Sequence, residues 1–437
     1  MSSLLMPSQT VITESSGLPC VVDSFIGGGG QGEVYRACWA GESVALKWYF
    51  THQATRDQRE ALETLVQAGS PNDRFLWPLE IASSRDSRSF GYVMPLRDRR
   101  YKSIVDLMMR RAEPGFRALT TAGIELSDSF LKLHARGLCY RDISFGNVFF
   151  DPESGEVLIC DNDNVAVNGA ARTGVLGTPR FMAPEIVRRD ASPSIQTDLY
   201  SLAVLLFYLL VVHHPLEGKR ESAIKCLDLP AMNRLYGERP LFIFDPSDDS
   251  NAPITEFHDN ALEFWPLYPC GIRRLFTRSF TEGLREPQKR VRESEWRAAF
   301  ASLRDQIFYC ACGQESFYCA ETYEESGRVE PCWSCGRVPA LPPHVRIGSR
   351  LVMLNRDSRL FPHHIDVSRQ YDFTAPVAAV VENPNRPGQW GLQNLSPHTW
   401  WITAPHAAAR SIDPGRSTAI AGGARIDFGS AVGEILI

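Results

Sequence analysis

The sequence predicts an α+β protein in four parts, and three observations carry that reading. Glycine crowds one short stretch between β-prone runs at 26–35. An aspartate and an asparagine five residues apart follow a long amphipathic pattern at 119–135. Two close cysteine pairs then precede a tail of short strands and Pro/Gly turns. The expected borders are a β-rich lobe over 1–97, a helical lobe over 98–305, a cysteine module over 306–340 and a C-terminal β-sandwich over 341–437. At 437 residues the chain is too long for one ordinary domain.

Composition narrows the class. Hydrophobic residues make up 44% and charged residues 22%, ordinary for a globular protein, and a net charge of −5 gives no reason to expect a nucleic-acid partner. The longest apolar run, 202–212, is too short to span a bilayer and reads as a buried helix. Residues 1–19 lack a basic cluster followed by an apolar core, so a cytoplasmic location with no membrane partner is expected.

In chain order, Gly27, Gly29, Gly32 and Val34 fit G-x-G-x-x-G-x-V in a strand–loop–strand setting, where missing side chains let backbone N–H groups approach a triphosphate. A dinucleotide fingerprint would need a helix after the last glycine, and 34–39 reads as a strand. The next strand carries Val44, Ala45, Leu46 and Lys47, with Lys47 15 residues beyond Gly32. A helix follows over 55–68. The strand 90–96 ends at Met94, Pro95 and Leu96. Gly137 stops the helical pattern of 119–135, and Arg141, Asp142 and Asn147 come next. An apolar strand leads to Asp161, Asn162 and Asp163, 19 residues after Asp142. Gly177, Thr178, Ala183, Pro184 and Glu185 form a G-T-x-x-F-x-A-P-E run, and Asp198 opens the apolar helix.

These ordered motifs, over about 260 residues, resemble a bacterial eukaryotic-like Ser/Thr protein kinase. The segments 75–78, 214–218, 240–251 and 280–284 are more closely similar to the kinase of tellurite-resistance-associated (TerY-type) phosphorylation triads. The resemblance implies a bilobal protein-kinase-like fold that binds ATP with Mg²⁺ (or Mn²⁺) and phosphorylates a protein hydroxyl. It assigns Lys47 to the phosphates, with an orienting glutamate on the 55–68 helix: Glu60 first, Glu63 as the alternative. Ala45, Met94 and Leu96 would border the adenine. Asp142 would orient the substrate hydroxyl, while Asn147 and Asp161 hold the metal. Thr178 would position Asp142, leaving Thr173 as the other phosphorylatable residue of that segment. Asp198 would brace the loop, and Arg290 would pair with Glu185. Implied partners are a von Willebrand A-type protein and a phosphatase.

Three departures stand out. Tyr140 replaces a histidine, Ser144 replaces the lysine that steadies the γ-phosphate, and Asp163 replaces a glycine. Asp163 either helps hold metal or fixes its segment in one conformation. Two other readings stay open: a non-enzymatic signalling scaffold, and a kinase-fold enzyme with a different acceptor or transferred group.

Cys310 with Cys312 and Cys332 with Cys335, each pair followed by glycine, offer four thiolates for a structural Zn²⁺ in a zinc-ribbon-like module, with Cys319 spare. Disulfides or inert thiols are the alternative. Strands are expected at 377–381, 391–395, 399–403, 417–420, 425–428 and 434–437. The runs 391–396 and 422–429 resemble the second half of a forkhead-associated (FHA) domain. That resemblance implies either phosphothreonine binding or a module used only for docking.

Overall fold

Six antiparallel strands, β1 (Thr10–Thr13), β2 (Pro19–Gly28), β3 (Gly32–Trp39), β4 (Glu42–Tyr49), β5 (Glu80–Ser83) and β6 (Phe90–Pro95), close into a barrel in the order β1-β2-β3-β4-β6-β5. The glycine-rich stretch is the β2–β3 turn, as its flanks predict. The computed structural model describes residues 4–169 and 177–437; Thr173 lies outside the described residues. The chain divides into two units. One comprises Met1–Pro114, Ala122–Trp265 and Arg274–Arg297; the other comprises Gly115–Thr121, Pro266–Arg273 and Ala298–Ile437.

In the first unit, strand alternation separates two apolar clusters. Val22, Tyr35, Leu46, Trp48 and Val93 fill one. Tyr49, Leu62, Ile81, Tyr92 and Met94 fill the other, and Leu62 brings in the helix α1 (Arg56–Ala68). Thr55 caps α1 by accepting the Gln58 N–H at 3.2 Å, and Gly69, at φ 66°, ends it. The barrel is tight where β3 crosses β4: a Cβ on Gly32 would lie 2.2 Å from the Trp48 carbonyl oxygen, so only glycine fits.

The helix Ile195–Val211 is buried at every position from Thr197 to Val211, which explains an apolar run with no polar face. Ser194 and Thr197 form its capping box. Among the described residues no helix is long and apolar enough to cross a membrane. Two short pairings hold the central loop: Leu138–Cys139 with Ala166–Val167, and Val148–Phe150 with Val157–Ile159. Residues 140–147 run between the first strand of each pair.

In the second unit, Ile307–Tyr309 pairs with Glu315–Phe317 ahead of two antiparallel sheets of six and four strands. Val345, Ile402, Ile426 and Ile435 from the larger sheet share one core with Leu360, Ala378, Val380 and Leu392 from the smaller. The six expected strands appear within two residues of their positions. The hairpin His344–Ile347/Arg350–Met353, Arg359–Leu360 and Arg410–Ile412 were not among the expected strands; they are two to four residues long, too short to carry a clear periodic signal. His364 and Asp305 form a buried pair: Nδ1 accepts the Phe361 N–H at 2.8 Å, so Nε2 carries the proton facing Asp305 at 3.2 Å.

Candidate active site

A cleft of about 860 Å³ opens in the first unit, lined by Gly27, Gly29, Gly32, Val34, Ala45, Lys47, Met94, Leu96, Asp142 and Asp161 among others. Strand register brings several of these together. Val34 faces Lys47 across β3 and β4, and Ala45 faces Met94 across β4 and β6. Of the residues expected around a nucleotide, Asn147 and Glu60 are absent from the lining.

Asp142 is held from two sides. The Thr178 hydroxyl donates to its Oδ1 at 2.8 Å, and the Asn147 amide donates to its Oδ2 at 3.2 Å and its carbonyl at 2.8 Å. Asn147 is thus 6% exposed and pins the loop on itself. Asp198 supports the loop from below, accepting the backbone N–H groups of Tyr140 and of Arg141, the latter at 2.9 Å. Arg141 has φ 73°, a strained conformation for a residue with a Cβ, and its Nε donates to the Asn164 carbonyl at 2.7 Å. Tyr140 donates its hydroxyl to the Cys160 carbonyl, so the position expected to hold histidine ties the loop to the strand before Asp161. Arg290 makes the expected pair with Glu185, two bonds of 2.8 Å each.

The expected glutamate partner of Lys47 is not the one it has in this structure. Neither Glu60 nor Glu63 pairs with Lys47. Glu60 accepts from Arg56 at 2.7 Å and Glu63 from Arg59 at 3.2 Å, both on the solvent side of α1. The buried residues of α1 are Ala61, Leu62 and Leu65. The residue one turn before Leu62 on that face is Gln58, a neutral amide. Lys47 instead donates to Asp163 Oδ1 and Oδ2 at 3.0 and 2.9 Å, to Asp161 Oδ1 at 3.3 Å and to Gln31 Oε1 at 3.1 Å. Burial alone would depress its ammonium, but the Asp163 and Asp161 carboxylates outweigh that and hold its pKa above the ordinary value. Burial, followed by the Lys47 attraction that opposes it, leaves the Asp161 carboxyl raised.

Sequence reasoning missed three further residues, Gln31, Tyr49 and Gln58. Gln31, at the tip of the glycine turn, also donates to Asn164 Oδ1 at 3.1 Å, bridging the turn to the 161–164 segment. Tyr49 donates to Asp163, and Gln58 donates to the Tyr49 hydroxyl at 3.1 Å. Helical phase from Leu62 points to Gln58; nothing local marks Gln31 or Tyr49.

The donor set suits a nucleotide with a hard cation. Carboxylate oxygens of Asp161, whose side chain is 41% exposed, border a cleft lined by the glycine turn and holding the buried Lys47 ammonium.

In the second unit, the sulfurs of Cys310, Cys312, Cys332 and Cys335 lie within 4.8 Å of one another. Cys310 and Cys335 are 3.6 Å apart, and Cys312 and Cys332 are 3.7 Å apart. Tetrahedral Zn–S bonds of ~2.3 Å put sulfurs about 3.8 Å apart, so the four fit one zinc ion. Gly313 (φ 91°) and Gly336 (φ 69°) close the two turns, each donating to the carbonyl of the first cysteine of its pair at 2.8 Å. Burial raises the Cys332 thiol, but the Cys335 and Ser334 N–H groups bring it down to about 7, favouring thiolate. Cys319 stands apart, 3.4 Å from Cys270. In the run 391–396, Asn394 donates to the His398 and Ile412 carbonyls at 2.7 and 2.9 Å, and Ser396 turns back onto Asn394.

Comparison with known proteins places this geometry. A family model described as protein kinase domain matches residues 20–266. The chain is similar to a cell cycle serine/threonine-protein kinase of Saccharomyces cerevisiae, 30% identical over 29% of this chain and 19% of that protein. It is also similar to CBL-interacting protein kinase 4 of Oryza sativa subsp. japonica, 32% identical over 28% of this chain and 27% of that protein. Serine/threonine-protein kinase PknK of Mycobacterium bovis is 30% identical over 44% of this chain and 18% of its own length. The matches thus span about a fifth to a quarter of these relatives.

Proposed function

The chain belongs to the protein kinase family, and on that premise we propose that it is an ATP- and Mg²⁺-dependent serine/threonine protein kinase acting in bacterial signalling. The observation that carries this reading is Asp142, fixed between the Thr178 hydroxyl and the Asn147 amide in the cleft that holds Lys47 and Asp161. A carboxylate held this way can orient a substrate hydroxyl and take its proton as the phosphoryl group moves. Lys47 and the amides of the glycine turn offset phosphate charge in a site of low dielectric, where fixed charges act most strongly. Asp161 and Asn147 would hold Mg²⁺, which supplies further neutralisation of the triphosphate. With Ser144 buried and uncharged, the lysine of related kinases has no replacement at its own position.

The test is incubation with γ-labelled ATP and Mg²⁺ beside Asp142→Ala and Asp161→Ala variants. Label in the wild type and in neither folded variant is expected; full transfer by either variant would refute its role. The second reading, a nucleotide-binding scaffold, is favoured by Ser144 and by the Gln31 bridge across the cleft. ATP binding without transfer would select it.

Around this core, the proposal includes a structural zinc at the four cysteines and a C-terminal FHA-like β-sandwich. The inward hydrogen bonds of Asn394 and Ser396 favour docking over phosphothreonine capture. A cytoplasmic site of action, with a von Willebrand A-type protein and a phosphatase as partners, rests on the TerY-type resemblance.

A further inference from the structure

Asp163 is 1% exposed, and its side chain has no solvent contact. A carboxylate so buried requires charged and hydrogen-bonding partners. Its partners are specific: both oxygens accept from Lys47, Oδ2 also accepts from Tyr49, and its backbone carbonyl accepts from Gln58 at 3.4 Å. Lys47 and Tyr49 are two apart on β4, so they present to one face of the strand. Asp163 docks on that face. The two glutamates of α1 pair with arginines of the same helix, and Gln58, which hydrogen-bonds Tyr49 and the Asp163 carbonyl, carries no charge.

We infer that Asp163 is the resident counter-ion of Lys47, a positioning residue that replaces the helix-borne glutamate expected on α1. The inference rests on the kinase reading for its consequence and on the geometry for its existence. With the carboxylate on the 161–164 turn, the lysine takes its position from the same turn that carries Asp161. Asp163 grips the ammonium through both oxygens, so Asp161, at the longer distance of 3.3 Å, is free to serve the cation of a nucleotide. Placement of Lys47 therefore depends on the 161–164 turn, and α1 contributes only the Gln58 amide that steadies Tyr49 and the Asp163 carbonyl.

The experiment moves the carboxylate. Asp163→Asn removes the charge at nearly constant shape; the double variant Asp163→Gly with Gln58→Glu empties the turn and restores an acid to α1. Affinity for a fluorescent ATP analogue, label transfer (kcat and KM separately) and thermal melting are measured for each. Asp163→Asn should melt cooperatively yet lose roughly tenfold or more in transfer, as expected when one partner of a buried charged pair is removed. The relocated variant should recover most of that loss, a rescue that a merely structural aspartate cannot give. Unchanged transfer in Asp163→Asn, or no rescue, would overturn the inference. Should Asp163→Asn not fold, the relocated variant decides: folded and active supports the role, whereas folded and inactive, or unfolded, counts against it. If the wild type transfers no label, the kinase reading fails separately, and loss and rescue of nucleotide affinity decide the counter-ion role.

Discussion

His134 gives the most direct test of the electrostatics beneath the loop. Its side chain is 5% exposed, with Nδ1 against Glu293 and Nε2 3.2 Å from Asp198. Carboxylates at both nitrogens require both to donate, so the ring is an imidazolium. Burial would lower its pKa, but hydrogen bonds and charge from Asp198 and Glu293 raise it from 6.5 to about 9. A folded pKa above the unfolded one means stabilisation that is full below pH 6.5 and is lost as pH rises through 9. At ~1.36 kcal/mol per unit, the shift corresponds to about 3 kcal/mol. The assay is urea unfolding of wild type and His134→Gln across that window, with the difference in unfolding free energy as the readout, because other titrations largely cancel. The gap should be about 3 kcal/mol larger at the acid end than above pH 9. A gap constant to within about 0.5 kcal/mol would refute a charged His134.

Two other predictions test the framework. Arg290 is 3% exposed and also donates to the Gln196 and Gly283 carbonyls at 2.8 and 3.0 Å, so Arg290→Ala strands Glu185. A loss of about 3–5 kcal/mol is expected, partly restored by also replacing Glu185 with Ala; a loss below about 1 kcal/mol in denaturant melts would show the pair to be dispensable. Freshly purified, reduced protein should contain one zinc per chain by elemental analysis, with Cys332→Ser lowering occupancy and chelation lowering the melting temperature. Zinc-free protein would refute the four-thiolate site.

What was legible in the sequence is what local geometry enforces. The glycine turn, Lys47 on its strand and the Asp142–Asn147 spacing each depend on a few contiguous residues, and the fold gathers the turn, Lys47 and Asp142 at one cleft. Helix α1 was expected over 55–68 and runs from Arg56 to Ala68. The lysine's partner was not legible, because a buried ammonium is satisfied by whichever carboxylate tertiary packing delivers, and Asp163 lies 116 residues away. The glutamates of α1, Glu60 and Glu63, both turn toward solvent and pair with arginines of the same helix. One half of the answer was visible in the sequence, as an aspartate where glycine was expected; the other, the amide of Gln58 one turn before Leu62, came only with the structure. Phase links them. Gln58 occupies the inward position, so any counter-ion for Lys47 must come from another element, and the added carboxylate on the 161–164 turn supplies it. Taken together around one ammonium, the amide at Gln58 and the carboxylate at Asp163 leave Lys47 with a buried acidic partner supplied by the 161–164 turn.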